Sequence, residues 1–177
     1  GAAVVVNYLG GSTQGEGSDQ TPAQDVVNEI ETAGGKAVAN YLNVTDYDSS
    51  SEIIKQALDT YGQLDIVVNN AGILRDRMVF NMSEEEWDAV ISVHLKGTFN
   101  ICKHASVLFR QQRSGRFINT GSESGLGSPG QPNYAAAKEG ITAFTRSLAS
   151  SMSRYDCTAN SIRPRAATRM TLSPEME

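Results

Sequence analysis

Short apolar runs alternate with longer amphipathic stretches along the chain, and this alternation narrows the possible folds more than any other feature. Ala3 to Asn7, Lys36 to Leu42, Leu64 to Asn69, Phe117 to Thr120 and Thr158 to Ile162 each read as a strand, the first as one buried on both faces. Helical patterns lie between them. Thr21-Pro22 is a helix start, with Thr as N-cap and Pro in the first turn. Val26, Val27, Ile30 and Ala33 give that helix one apolar face, and Gly34-Gly35 stops it. Ser49 with Glu52 has capping-box form and opens a helix lined by Ile53, Ala57 and Tyr61, which Gly62 ends. Ser83 with Glu86 is a second capping box. From there Trp87, Val90, Ile91, His94, Thr98, Cys102, Ala105 and Phe109 trace one long amphipathic helix to near Gln112, and a last helix runs from Asn133 to near Ser153. Strands joined by helical crossovers must pair in parallel, with helices on both faces of the sheet. The expected fold class is α/β, a doubly wound parallel sheet in a single domain over residues 1–177.

A chain of 177 residues, 40% hydrophobic, is long enough to bury a real core, and its net charge of −5 describes a soluble, mildly acidic globule. There is no basic stripe for nucleic acid, and no apolar run approaches the ~20 residues that span a bilayer. The two cysteines, Cys102 and Cys157, have no metal-ligand spacing and read as small core residues of a reducing compartment. The chain starts inside a strand, at Gly-Ala-Ala-Val-Val-Val, with neither an initiator Met nor a signal peptide, as a fragment would.

The residues that carry chemistry cluster between Gly115 and Gly140. Phe117 to Thr120 leads into a Gly/Ser/Pro loop, Gly121 to Gly130, and a helix opens near Asn133. Tyr134 and Lys138 are four apart and share one face of that helix. An ammonium beside a phenol favours phenolate, so Lys138 is expected to draw the Tyr134 pKa down from about 10 toward the range of a general acid or base. Ser122, directly after the strand, is placed to hydrogen-bond a carbonyl or alcohol oxygen. Tyr and Lys at this spacing are common on exposed helix faces, and the pair gains meaning only from the strand, Ser and Gly-rich loop that precede it. Ligands of doubly wound sheets sit outside the carboxyl ends of the strands, where Asn7-Tyr8, Asn43-Val44, Asn70-Ala71-Gly72, Ser122 and Arg163 onward all fall. Small Ala71 and Gly72 allow a flat ligand to approach closely, or simply make a tight turn; Asn70 equally suits loop backbone.

Ser122, then Tyr134-x-x-x-Lys138, with Asn69-Asn70-Ala71-Gly72 earlier, resembles the signature of the short-chain dehydrogenase/reductase family. The blocks NYLGG (7–11), GGKAVANY (34–41), NNAGILRDR (69–77), VHLKGTF (93–99), GQPNYAAAK (130–138) and AATRMT (166–171) are most similar to its (3R)-hydroxyacyl-CoA dehydrogenase branch, found in peroxisomal multifunctional enzyme type 2 and bacterial relatives. The resemblance implies a Rossmann-like sheet and hydride transfer between a nicotinamide and a secondary alcohol or ketone, with NAD as cofactor and NADP not excluded. Tyr134 would be the acid/base, Lys138 would hold the nicotinamide ribose and lower the Tyr pKa, and Ser122 would position the substrate oxygen. Asn70, Ala71 and Gly72 would line the cofactor, Asn43 and Val44 would flank adenine, and Ala166, Ala167, Thr168 and Arg169 would touch the nicotinamide end. It also implies an acyl-CoA substrate and a homodimer or homotetramer built on helices 84–112 and 133–153. The location would be intracellular, cytoplasmic in a bacterium and peroxisomal in a eukaryote. Other short-chain reductases, of 3-oxoacyl carrier protein, a steroid or a xenobiotic ketone, and a non-catalytic truncated relative are the alternatives.

This chain departs from that pattern in several places. His94 stands where the family commonly has a catalytic Asn. Ser122 and Tyr134 are twelve apart, one fewer than is usual in the branch. Tyr8 replaces an Asp that binds the adenine ribose, so it cannot act as that carboxylate does, although its ring could stack on adenine. Arg163 and Arg165 flank Pro164, where relatives carry small or neutral residues. No Gly-rich phosphate loop joins a first strand to its helix, because Gly10-Gly11 and Gly15-x-Gly17 follow what reads as the second strand. The expected sheet is therefore N-terminally truncated, with unpaired strand edges, poor folding of the chain on its own and weak NAD binding.

Overall fold

The computed structural model describes residues 1–165. Its strands are β1 (Ala3–Asn7), β2 (Lys36–Asn40), β3 (Ile66–Asn69), β4 (Gly115–Thr120) and β5 (Cys157–Ile162). Between them run α1 (Thr21–Thr32), α2 (Tyr47–Tyr61), α3 (Glu84–Ile91), α4 (Gly97–Gln112) and α5 (Pro132–Met152). All pairing is parallel, as the helical crossovers require. The pairing falls into two sheets: β1 beside β2, in register from Ala3↔Lys36 to Asn7↔Asn40, and β4 between β3 and β5. Among the described strands, β1 and β3 each pair along one edge only. On β3, Ile66 and Val68 remain 51% and 59% exposed while Val67 between them is buried.

The halves meet through helices. The Asn100 side chain of α4 donates to the Val44 carbonyl at 2.9 Å, and Val44 packs so close to Gly97 that a Cβ there would lie 2.9 Å from it. The main core lies between α4 and the three-stranded sheet. Phe109 and Phe117 are fully buried with ring centroids 4.9 Å apart, and Cys102, Ala105, Cys157 and Met152 surround them. Each such aromatic contributes roughly 2–3 kcal/mol of transfer free energy. Gly115 admits Phe109, since a Cβ there would come 2.1 Å from its ring. Both cysteines are free and buried, and no helix among the described residues is long and apolar enough to cross a membrane.

Several boundaries move for local reasons. Thr21 is the first helical residue of α1 rather than its cap; its N–H donates to Asp19 Oδ1 at 2.9 Å. The cap of α2 is Asp46, not Ser49: extended at φ −86°, it accepts the Ser49 N–H at 2.7 Å, and its charge faces the positive helix end. Strand β2 stops at Asn40, whose buried side chain accepts from Asn7 Nδ2 and Leu42 N and donates to Gln56. The Ser83–Glu86 capping box forms as expected. The long helix does not run uniformly: α3 and α4 are joined by a π turn, Ser92–Lys96, centred on buried His94, and Trp87 at its start is 40% exposed.

Candidate active site

Because β3, β4 and β5 are parallel, their carboxyl ends open on one side, with Asn70, Ser122 and Arg163 just beyond them. Helix α5 is set against this edge by its first turn. Pro132 presets the first helical φ. Buried Asn133 then donates to the carbonyls of Arg75 and Glu86, both at 3.0 Å, and accepts the Tyr134 N–H at 2.8 Å. One side chain thus ties the helix start to the segment after β3 and to α3.

Tyr134 is half-buried, and the Ser122 side chain lies near enough to act on its phenol. Lys138, 3% exposed, donates to the Thr120 carbonyl at 2.8 Å, and its Nζ lies 5.4 Å from the centroid of the Tyr134 ring. Burial pulls the Lys138 pKa down to about 8. The Tyr134 pKa is raised, not lowered as the Tyr–Lys spacing led one to expect. Burial is the largest cause and outweighs the Ser122 hydrogen bond, while the negative charge of Asp76 pushes the same way. The phenol is consequently protonated at neutral pH, with the charged lysine held beside it.

The Ser122–Tyr134 connection contains a tight turn, Glu123–Leu126, with Gly127 and Gly130 at φ +114° and +75°. Ser122 begins this turn, accepting the Ser124 N–H at 3.2 Å, so Ser122 rather than Ser124 faces the phenol. Arg163 and Arg165 clasp the same region through Glu139 at 2.6 Å and Glu123 at 2.7 Å. Asn70 accepts from the Thr120 hydroxyl at 3.1 Å, tying the ends of β3 and β4 together. Asn70 and Ala71 are exposed there, and Gly72 lies against His94, which leaves no room for a Cβ.

In the other half, Tyr8 turns its hydroxyl to the Gly11 carbonyl at 3.1 Å, within its own loop. Asn43 accepts the Thr45 N–H, and Val44 fills the joint with α4. The structure therefore gathers Ser122, Tyr134, Lys138, Asn70 and Gly72 around one strand edge, whereas Tyr8, Asn43 and Val44 stand beyond the ends of the separate sheet. Ala166, Ala167, Thr168 and Arg169 lie outside the described residues. Sequence reasoning missed Asn133, Arg75 and Asp76. Arg75 donates to the Gln14 carbonyl at 2.6 Å, and Asp76 accepts from Gln131 at 2.8 Å, so the loop after β1 and the entry to α5 both fasten to one segment. Their signal was the polar run Arg75-Asp76-Arg77 beside the Asn-Asn-Ala-Gly block. Among the described residues no group of His, Cys, Asp and Glu is arranged to hold a metal.

A family model described as short chain dehydrogenase matches residues 10–174. The peroxisomal hydratase-dehydrogenase-epimerase of Neurospora crassa is 50% identical over 172 residues, 97% of this chain and 19% of that protein. A hydroxyacyl-CoA dehydrogenase of Mycobacterium tuberculosis is 48% identical over 184 aligned residues, 97% of this chain and 55% of that protein. The crystal structure of a short chain dehydrogenase from Mycobacterium avium superposes with a TM-score of 0.86 at 50% identity, covering 94% of this chain and 62% of that one. The chain thus spans less than two thirds of each of these relatives.

Proposed function

Because the chain belongs to the short-chain dehydrogenase family, we propose that it forms the catalytic part of an NAD-dependent dehydrogenase acting on a secondary alcohol or ketone, with a 3-hydroxyacyl-CoA as substrate. The observation that supports this best is the convergence of the Ser122 hydroxyl and the Lys138 ammonium on the Tyr134 phenol at the carboxyl edge of the sheet. The donor set suits a dinucleotide. Lys138 carries three N–H donors, of which the Thr120 carbonyl takes one, leaving two for ribose hydroxyls. Exposed Asn70 and Ala71 and the side-chain-free Gly72 offer a flat wall for the cofactor. NAD is favoured over NADP because no Lys or Arg occurs between Gly1 and Gly35, the stretch that flanks Tyr8 and would have to hold a 2′-phosphate.

Bound NAD would accept or supply the hydride. The chain's own residues handle the proton and the oxygen. Ser122 hydrogen-bonds the substrate oxygen where charge develops. Tyr134, protonated at rest, gives its phenolic proton to the nascent alkoxide in reduction; in oxidation it first releases that proton to solvent, and the phenolate so formed takes the hydroxyl proton. Lys138, charged below about pH 8, stabilises the phenolate that forms. The exposed Phe99 and Val107 of α4 supply apolar surface for a homodimer or homotetramer.

A 3-oxoacyl carrier protein reductase is the second reading, favoured by 42% identity over 165 residues to such an enzyme of Synechocystis, of which the chain covers 64%. The deciding assay gives the full-length protein NAD or NADP with 3-hydroxyacyl-CoA, and NADH or NADPH with 3-oxoacyl carrier protein. Turnover of the CoA thioester with NAD is expected, and Tyr134→Phe should lower kcat by ~10²–10⁴-fold. Activity surviving in Tyr134→Phe would remove the acid/base assignment.

A further inference from the structure

His94 is one of only two histidines and is 0% exposed, in the middle of the π turn that joins α3 to α4. Such turns insert an extra residue into a helix and recur at functional sites. Here the turn accompanies a ring wedged between the strand-exit segment and α5. The His94 Nε2 lies 3.0 Å from the Ile73 nitrogen and 2.8 Å from the Ile73 oxygen. One ring nitrogen serves only one of these at a time, so either tautomer leaves the imidazole pinned to the Ile73 backbone. The adjoining Cε1 abuts Gly72, where a Cβ would come 2.4 Å from it. The same ring meets Tyr134 edge-to-face, with centroids 5.0 Å apart and planes at 85°. Among the described residues the buried Nδ1 atom has no protein partner, so the ring's contacts to the chain run through Nε2.

We propose that His94 is a positioning residue, a neutral imidazole strut that fixes the Gly72–Ile73 backbone and the tilt of the Tyr134 ring and that carries no proton in the reaction. The charged and titratable groups facing it agree with neutrality: Lys138 and Tyr134 from α5, with Asp76 acting on Tyr134 from the segment after β3. Burial, and then the Lys138 charge, lower its pKa to about 3. The proposal rests on the reading of Tyr134 as the acid/base, and it predicts which replacements succeed. A Gln side chain has a separate N–H and C=O for the Ile73 carbonyl and amide; Phe keeps the ring but offers neither.

The test uses the full-length protein labelled with [15N]histidine, together with His94→Gln and His94→Phe. The His94 ring signals, assigned by their loss in either variant, should show no second proton between about pH 8 and pH 5. In steady-state turnover of 3-hydroxyacyl-CoA, His94→Gln should stay within about fivefold of the parent kcat. His94→Phe should fall ~10–100-fold in kcat, with KM for the thioester changed less than about threefold, as misplacement of the reacting groups would cause. The Ile73 amide should be protected from hydrogen exchange in the parent and in His94→Gln, and exposed in His94→Phe. Protonation of His94 within that pH window, loss of the acidic limb of the kcat profile in His94→Gln, or equal losses in both variants would overturn the strut. If the parent turns over no substrate, the dehydrogenase reading fails by itself. The ring titration and the Ile73 exchange then decide the strut without it.

Discussion

The two sheets are built to different standards. In the three-stranded half, Phe109, Phe117, Ile141, Val90 and His94 are at or below 1% exposure, and β4 is paired on both edges. In the two-stranded half, Val4, Val5 and Val6 of β1 are only partly covered, and its free edge runs alongside nothing that pairs with it among the described residues. Polar side chains tie its strands and joint, Asn7 to Asn40, Asn40 to Gln56, Gln56 to the Ala39 carbonyl, and Asn100 reaching across to Val44, while Ile53 and Ile54 of α2 join the main core of the other half. The chemistry sits in the half that completes its own core. That placement follows from what catalysis needs, since Ser122, Tyr134 and Lys138 keep their geometry only if the elements carrying them cannot shift.

The contrast is broken most directly by matched truncations in the two halves. Phe117→Ala should cost ~3–5 kcal/mol, because the surrounding core cannot close on the void. Val5→Ala in β1 should cost about 1 kcal/mol, as its side chain is only partly buried. Urea unfolding of the full-length protein reads both, and equal costs would mean that the two halves are equally well packed.

Lys138→Met probes the tension between stability and function inside the firmer half. The folded pKa of Lys138, about 8, lies below its ordinary 10.5. Below pH 8 the lysine is charged in both states and the folded chain carries the desolvation cost. From about pH 8 to 10.5 the unfolded chain binds more protons, so this lysine makes stability rise with pH. Replacing it by Met should stabilise the protein by about 1–2 kcal/mol at pH 7, less than the full shift implies because the Thr120 carbonyl loses its donor. The variant should also lack the rise above pH 8 and lose turnover by ~10²-fold or more. Urea midpoints at pH 7 and pH 10 check the sign, and destabilisation at pH 7 would show that the ion is better compensated than its burial suggests.

The smallest effect belongs to the two-stranded half. Asp46→Ala removes the cap of α2 and should cost about 1 kcal/mol. Ser49→Ala should cost less, because the backbone N–H of Ser49 still closes the cap when its hydroxyl, which also bonds Asp46, is removed. The reverse ranking would restore Ser49 as the cap that its spacing to Glu52 suggested.

Much of this molecule is determined within a few residues of any point in the chain. The alternation of apolar runs with helical periods required parallel strands, and the five strands form within a few residues of where the pattern put them. The Ser83–Glu86 box, the stop at Gly62 and the shared face of Tyr134 and Lys138 are local in the same sense, because helix geometry alone makes positions three or four apart neighbours. Tertiary structure decided the rest. The apolar face from Val90 to Phe109 reads as one continuous helix, and the π turn at Ser92–Lys96 arises where His94 reaches Ile73, 21 residues away. The local pattern set a cation beside the phenol and so predicted a lowered Tyr134 pKa. The fold reversed the sign, because burial, with a smaller push from Asp76 on a distant segment, outweighs the Ser122 hydrogen bond, and the lysine's charge is turned to the Thr120 carbonyl. Side-chain periodicity is written in adjacent residues. Desolvation and charge fields depend on which distant segments are brought together, and no window of the sequence contains both partners.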